Sequence, residues 1–179
     1  MGLTYKSGLL QGTEESIRTI EEMIPTGFVD ADYARDTDSR RSCTGFIYFL
    51  SEAPISWQTR QQPSVARSTM ESEFMAACAA AQESLWLIQL LKEFTCKFQD
   101  PIIIFEDNNA CLDYSKNSTN HQRTKHISVW YHFIRDLIAD RLISLTAIPS
   151  EENIADIMTK PLDKKVFQRL RAKFMTIIE

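Results

Sequence analysis

The sequence lacks several features that would assign it quickly. Its four cysteines, Cys43, Cys78, Cys96 and Cys111, form no CxxC spacing. The spacings of His121, His126 and His132 fit no ordinary structural zinc pattern either. Cys78 falls inside an apolar helical pattern, so buried free thiols in a reducing compartment are expected. There is no basic excess. The 179 residues carry a net charge of −4, whereas nucleic-acid-binding domains are often strongly positive, so any such role must rest on local clustering. No apolar run approaches the ~18 residues of a membrane span, and the N-terminus shows no signal-peptide pattern. No internal repeat or low-complexity tract interrupts the chain.

What remains is the composition of a globular domain, 44% hydrophobic and 25% charged, long enough to enclose a core. Three consecutive strands are predicted at Phe28–Ala34, Thr44–Leu50 and Ile55–Arg60, joined by the turn-rich DTDSRRS and SEAP. Phe74, Cys78, Ala81, Leu85 and Ile88 recur at helical spacing in STMESEFMAACAAAQESLWLIQLLKEF, and Ser68 with Glu71 makes a capping box. IIIFED reads as a fully buried, parallel strand. A short helix over NNACLDYSK follows, then a longer one over ISVWYHFIRDLIAD with Ile127, Tyr131, Ile134 and Ile138 on one face. LISLTAI is the fifth strand, and helices are predicted around Glu151–Thr159 and Asp163–Met175. Before this unit, GLTYKSG suits a short strand, and the acidic stretch after it reads as a loop or marginal helix. The order β-β-β-α-β-α-α-β-α-α describes a mixed sheet flanked by helices.

One stretch is at odds with burial. FVDADYARD places Asp30 and Asp32 in a run that otherwise reads as a core strand, and a buried carboxylate is costly unless a partner or metal compensates it. Other acids sit at element ends: Glu73 in the first turn of the long helix, Asp107 closing the buried strand, and Asp156 early in the penultimate helix. Ligand sites in open α/β sheets gather at strand carboxyl ends. Carboxylates from separate elements are what hard divalent cations require. Two cations about 3.5–4 Å apart can ready an attacking water and stabilise a leaving oxygen. Each acid also has an ordinary explanation, as a helix cap, a helix-dipole partner or a solvated charge.

FVDADYARD, SVARSTMESEFMAA, FEDNNA, RTKHISVWYHFIRD and IPSEENIADIMTKPL together resemble, in order and spacing, the ribonuclease H domain of copia-type retrotransposon polyproteins. The likeness runs from about Gly27 to Met175. It implies a ribonuclease H-like α/β fold over residues 27–179, with a five-stranded mixed sheet in the order 3-2-1-4-5, its first three strands antiparallel and helices on both faces. Residues 1–26 would then be a connection segment, with GLTYKSG the tail of the link from a reverse transcriptase domain. The family's D-E-D-D metal ligands map onto Asp30, Glu73, Asp107 and Asp156. In the family the first of these bridges two Mg²⁺ ions, and Mn²⁺ is a plausible substitute. Asp32 is assigned a supporting role.

The chain departs from the family pattern at Arg35, Met70, Ala110 and Trp130. It also lacks the histidine that bacterial ribonucleases H place before the last Asp, for which Glu151 or Glu152 is the candidate replacement. The implied activity is Mg²⁺-dependent hydrolysis of the RNA strand of an RNA–DNA hybrid during reverse transcription. Asn108 and Asn109 are candidate donors to sugar hydroxyls in the minor groove, and Gln58–Gln62 a polar run suited to it. Arg123 and Lys125 are candidate phosphate contacts, while a separate C-terminal group of Lys160, Lys164, Lys165, Arg169, Arg171 and Lys173 is expected to form a solvated face. The implied location is intracellular, in the cytoplasm or virus-like particles, or in the nucleus, with no membrane partner. Two competing readings are a catalytically inactive retroelement remnant that binds nucleic acid or protein, and an integrase-like enzyme. The early Glu73 and the fourth acid disfavour the latter.

Overall fold

The sheet is built outward from the acid-bearing strand. The computed structural model describes residues 2–3, 24–51, 53–94, 100–116 and 128–176. Along the chain come β1 (Gly2–Leu3), β2 (Thr26–Asp32), β3 (Cys43–Leu50), β4 (Ala53–Gln61) and α1 (Thr69–Glu93). They are followed by β5 (Ile102–Glu106), α2 (Asn109–Lys116), α3 (Ser128–Ala139) and β6 (Ile143–Ala147). A 3₁₀ turn at Ser150–Glu152, α4 (Asp156–Thr159), α5 (Lys164–Arg171) and β7 (Met175–Thr176) complete the order.

The main sheet has the order β4-β3-β2-β5-β6. The first three of its strands in the chain pair antiparallel, and β5 and β6 run parallel to β2. Counted within the sheet this is 3-2-1-4-5, with helices on both faces, as the sequence predicts. β1 and β7 form a separate antiparallel pair.

One face is covered by α1, α2 and α3. Phe74, Ala77, Cys78, Ala81, Leu87 and Ile88 of α1 join Val29, Phe46, Tyr48, Ile102 and Ile104 in the larger core. Each fully buried large apolar side chain there stabilises the fold by about 1.5–3 kcal/mol. Tyr48 keeps its polar tip satisfied by donating to the Ala80 carbonyl at 2.6 Å, with the Ser84 hydroxyl 2.8 Å away. α1 starts as its cap dictates: Ser68 Oγ accepts from the Glu71 N–H at 3.2 Å, and Glu71 Oε2 from the Arg67 N–H at 2.9 Å. By length and hydropathy α1 would pass for a membrane span, which corrects the expectation that no segment does. More than half of that stretch is buried inside the fold.

The opposite face carries a smaller core of Ile47, Phe49 and Ile154 with Phe28, Met158 and Phe174 packed on it. Here the chain differs from expectation. The helix predicted around Glu151–Thr159 is a 3₁₀ turn and a single α-turn with Asn153 between them. Asn153 is fully buried; its Nδ2 donates to the Val29 carbonyl at 2.9 Å, and its Oδ1 accepts from the Ala155 N–H at 3.1 Å. A side chain that bonds the backbone in this way competes with helix continuation. The last helix starts after the Asp163 cap, as predicted, but ends at Arg171, and Met175 enters a strand. Cys43, Cys78 and Cys111 are buried free thiols, while Cys96 and Ile127 lie outside the described residues.

Candidate active site

β2 and β5 run parallel with Phe28 opposite Phe105, and the two rings pack with centroids 5.2 Å apart. Two residues further along each chain come Asp30 and Asp107, so the register itself sets these acids side by side. Strand alternation then sorts the remaining acids between the two faces. Asp30 points, like Phe28, towards α4 and Asp156. Glu106 points, like Ile102 and Ile104, towards α1 and Glu73. Asp107 lies just past the end of β5, between the two sides.

The carboxylates therefore form two groups. Oxygens of Asp30, Asp107 and Asp156 lie within 4.8 Å of one another, and so do oxygens of Glu73, Glu106 and Asp107. All four sequence-predicted ligands are brought together, and Glu106 makes a fifth acid that sequence reasoning missed. Alternation along IIIFED carried the signal, since Glu106 shares a face with two core isoleucines. The acid common to both groups is Asp107, whereas the family resemblance gives the bridging position to Asp30.

In the first group Asp30 is 1% exposed. Its Oδ2 accepts from the Thr159 hydroxyl. The Lys160 ammonium lies 3.5 Å from Asp30 Oδ1 and 2.8 Å from Asp156 Oδ1. Burial raises the Asp30 pKa to about 6, although the Thr159 bond and the Lys160 charge pull the other way. For Lys160, burial works against the ammonium. The bond to Asp156 and the Asp30 charge outweigh it and hold the group above its ordinary value. The Asp156–Lys160 spacing of four residues was available in the sequence; the reach to Asp30, 130 residues away, was not.

Glu73 and Glu106 of the second group are placed differently. Among the described residues no lysine or arginine ion-pairs with Glu73 or Glu106. Glu73 accepts from the Ala31 N–H and Glu106 Oε1 from the Asn108 N–H at 2.9 Å. Glu73 Oε2 and Glu106 Oε2 are buried without a hydrogen-bond partner. Burial first, and then repulsion from neighbouring acids, pushes both carboxyls far above the usual range. An all-oxygen donor set with orphaned, buried carboxylate oxygens fits hard divalent cations.

Two devices bring α4 to the sheet: the Asn153 pin on β2, and Gly45, which leaves room for Met158 and Thr159. A third contact comes from Arg35, where the family often has glycine. Arg35 donates to the Thr159 carbonyl, and its Nε lies 3.8 Å from Asp32 Oδ2. Asp32 thus faces Arg35 and lies in neither carboxylate group.

The predicted substrate contacts divide. Asn108 caps α2 through its Oδ1, which accepts from the Cys111 N–H at 3.0 Å, and Asn109 is exposed as the first residue of that helix. Arg123 and Lys125 lie outside the described residues. Gln58, Thr59, Arg60 and Gln61 stay at or near the surface. Gln62 does not: it is buried and braces β3 to α1 by donating to Thr44 Oγ1 at 3.0 Å and the Ser72 carbonyl at 2.9 Å. Glu151 and Glu152 are exposed, and their carbonyls accept from Arg169 and Lys173. Lys160 leaves the C-terminal basic group for the acid cluster, while Lys164 and Lys165 remain exposed.

No protein-family model matches the chain. It is 40% identical over 142 residues, 79% of its length, to the retrovirus-related Pol polyprotein from transposon TNT 1-94 of Nicotiana tabacum. It is 34% identical over 150 residues, 84% of its length, to that from transposon RE2 of Arabidopsis thaliana. The chain spans only 11% and 10% of these polyproteins. Among solved structures, LC11-RNase H1, isolated from compost, superposes with a TM-score of 0.56 at 12% identity, covering 82% of this chain and 98% of that one. The same enzyme in complex with an RNA/DNA hybrid gives 0.56 at 10% identity, covering 75% and 93%. RNase H1 from Halobacterium salinarum gives 0.52 at 13%, also covering 75% and 93%. These likenesses establish a ribonuclease H-like fold.

Proposed function

The chain belongs to the retrovirus-related Pol polyproteins of copia-type transposons, as their ribonuclease H-like portion, and on that premise we propose that it hydrolyses the RNA strand of RNA–DNA hybrids with Mg²⁺, or Mn²⁺ in its place. The observation that carries this reading is the convergence of carboxylates at the ends of β2 and β5, with buried Glu73 and Glu106 oxygens that find no hydrogen-bond partner among the described residues. Asp30, Glu73, Asp107 and Asp156 would hold the ions. Bound there, two divalent cations would supply an activated water and charge to stabilise the leaving oxygen.

The protein's own contribution is placement. Thr159 and the β2–β3 ladder orient Asp30, Asn153 sets the start of α4, and the Asn108 cap fixes the turn after Asp107. Asn109, exposed beside that turn, is the candidate donor to a ribose hydroxyl, with Asn108 behind it. Arg123 and Lys125 would contact phosphates and make binding salt-dependent. The same reading makes residues 1–26 the connection from a reverse transcriptase domain of the polyprotein, and the setting intracellular.

The test is cleavage of a labelled hybrid with Mg²⁺, with and without chelator, by the wild type and Asp30→Asn. Asp30→Asn keeps the volume and removes the charge, so cleavage should vanish while the fold persists. Full activity in that variant, or in chelator, rejects the proposal. A folded wild type that leaves the hybrid intact supports the binding-module alternative.

A further inference from the structure

Glu106 sits where strand alternation calls for an apolar residue. It follows Ile102 and Ile104 on the same face of β5, and all three are 0% exposed. Its Oε1 is tied to the Asn108 N–H at 2.9 Å. That bond holds the carboxylate at the strand end and leaves Oε2 buried and without a partner. Glu73, 5% exposed, presents a second orphaned oxygen, and oxygens of Glu73, Glu106 and Asp107 lie within 4.8 Å of one another. Lys160 ion-pairs with Asp30 and Asp156, and among the described residues no side-chain cation ion-pairs with Glu73 or Glu106. Two buried acids with free oxygens facing a third are far from neutral in cost.

We propose that Glu106 is itself a metal ligand, joining Glu73 and Asp107 in holding one divalent cation. Five acids, not four, then line the centre. This rests on the reading of the cluster as a cation site. It adds a carboxylate donor, which favours hard cations such as Mg²⁺ or Mn²⁺ over softer metals. The Asn108 N–H has a second purpose on this view: it orients a ligand as well as opening the turn before α2.

Manganese ions alone are titrated by calorimetry into the substrate-free wild type and Glu106→Gln. The amide oxygen of glutamine can still accept from the Asn108 N–H, so the metal-free melting temperature of the variant should hold or rise. Two ions should bind the wild type. In the variant one should keep its affinity and the other weaken about tenfold or more, the scale on which metal sites respond to lost ligand-shell groups. Two ions bound by Glu106→Gln with wild-type affinities would overturn the proposal and leave the metal reading standing. Equal weakening of both sites, the mark of a general charge effect, also overturns it. No manganese bound by the wild type would remove the metal reading as well.

Discussion

Gly45 stands directly opposite Asp30 in the β2–β3 ladder, and a β-carbon there would lie 2.6 Å from both Met158 Cβ and Thr159 Cγ2. The missing side chain is what lets α4 reach the sheet, deliver the Thr159 hydroxyl to Asp30 and set Asp156 beside it. The obstacle to a substitution is steric, because the neighbours belong to a helix tied down by Asn153 and Arg35.

Gly45→Ala is therefore expected to destabilise the protein by about 1–3 kcal/mol, the usual range for overpacking. Hybrid cleavage should suffer more than stability, since the clash moves two of the site's acids relative to each other. Denaturant unfolding and cleavage rates, measured on the same preparation, check both parts. Unchanged cleavage would mean that α4 is placed by other contacts.

Lys160 neutralises Asp30 and Asp156 from within the chain. Lys160→Met leaves the two acids facing each other, so the chelator-treated variant should melt below the wild type. Breaking a buried ion pair from one side costs up to about 3–5 kcal/mol, and the partial exposure of Lys160 argues for the lower end or less. Mg²⁺ should raise the variant's melting temperature more than that of the wild type, because it replaces the lost charge. Equal shifts in chelator and in Mg²⁺ would deny the lysine that place.

The raised Asp30 pKa sets a pH dependence for the metal-free protein. Folded Asp30 titrates near 6 against 3.8 for the unconstrained group, so folding takes up a proton between those values. Stability then falls as pH rises through that window, by roughly 3 kcal/mol from this group alone. Glu73 and Glu106, raised further, extend the loss to higher pH. Lys160, a base held above its ordinary value, adds stability that is constant until its own range is reached. Unfolding in chelator from pH 4 to 8, for the wild type and Asp30→Asn, isolates the Asp30 part as the difference in slope. Equal slopes would show that Asp30 is fully compensated in the fold.

Much of this architecture can be read along the chain because it depends on local rules. Ser68 and Asp163 start their helices as cap residues should. The apolar IIIFE run becomes a parallel strand, but not the fully buried one expected, since Ile103 is 38% exposed; the strands predicted at Phe28–Ala34 and Ile55–Arg60 run over Thr26–Asp32 and Ala53–Gln61. Ladder pairing sets such ends, and pairing is not local. The helix predicted through Asn153 fails for a related reason: its side chain bonds a carbonyl 124 residues away.

The amino-acid order alone determined most of the strands and helices, since caps, turns and apolar periodicity act over a few residues, but not the break at Asn153 or the strand at Met175. It also supplied Asp30, Glu73, Asp107 and Asp156 as the acids at element ends. Tertiary structure decided that Glu106 joins them, that Lys160 is their counter-ion, and that Gly45 makes room for α4. Those outcomes depend on register and close approach between distant segments, and a linear pattern contains neither distance.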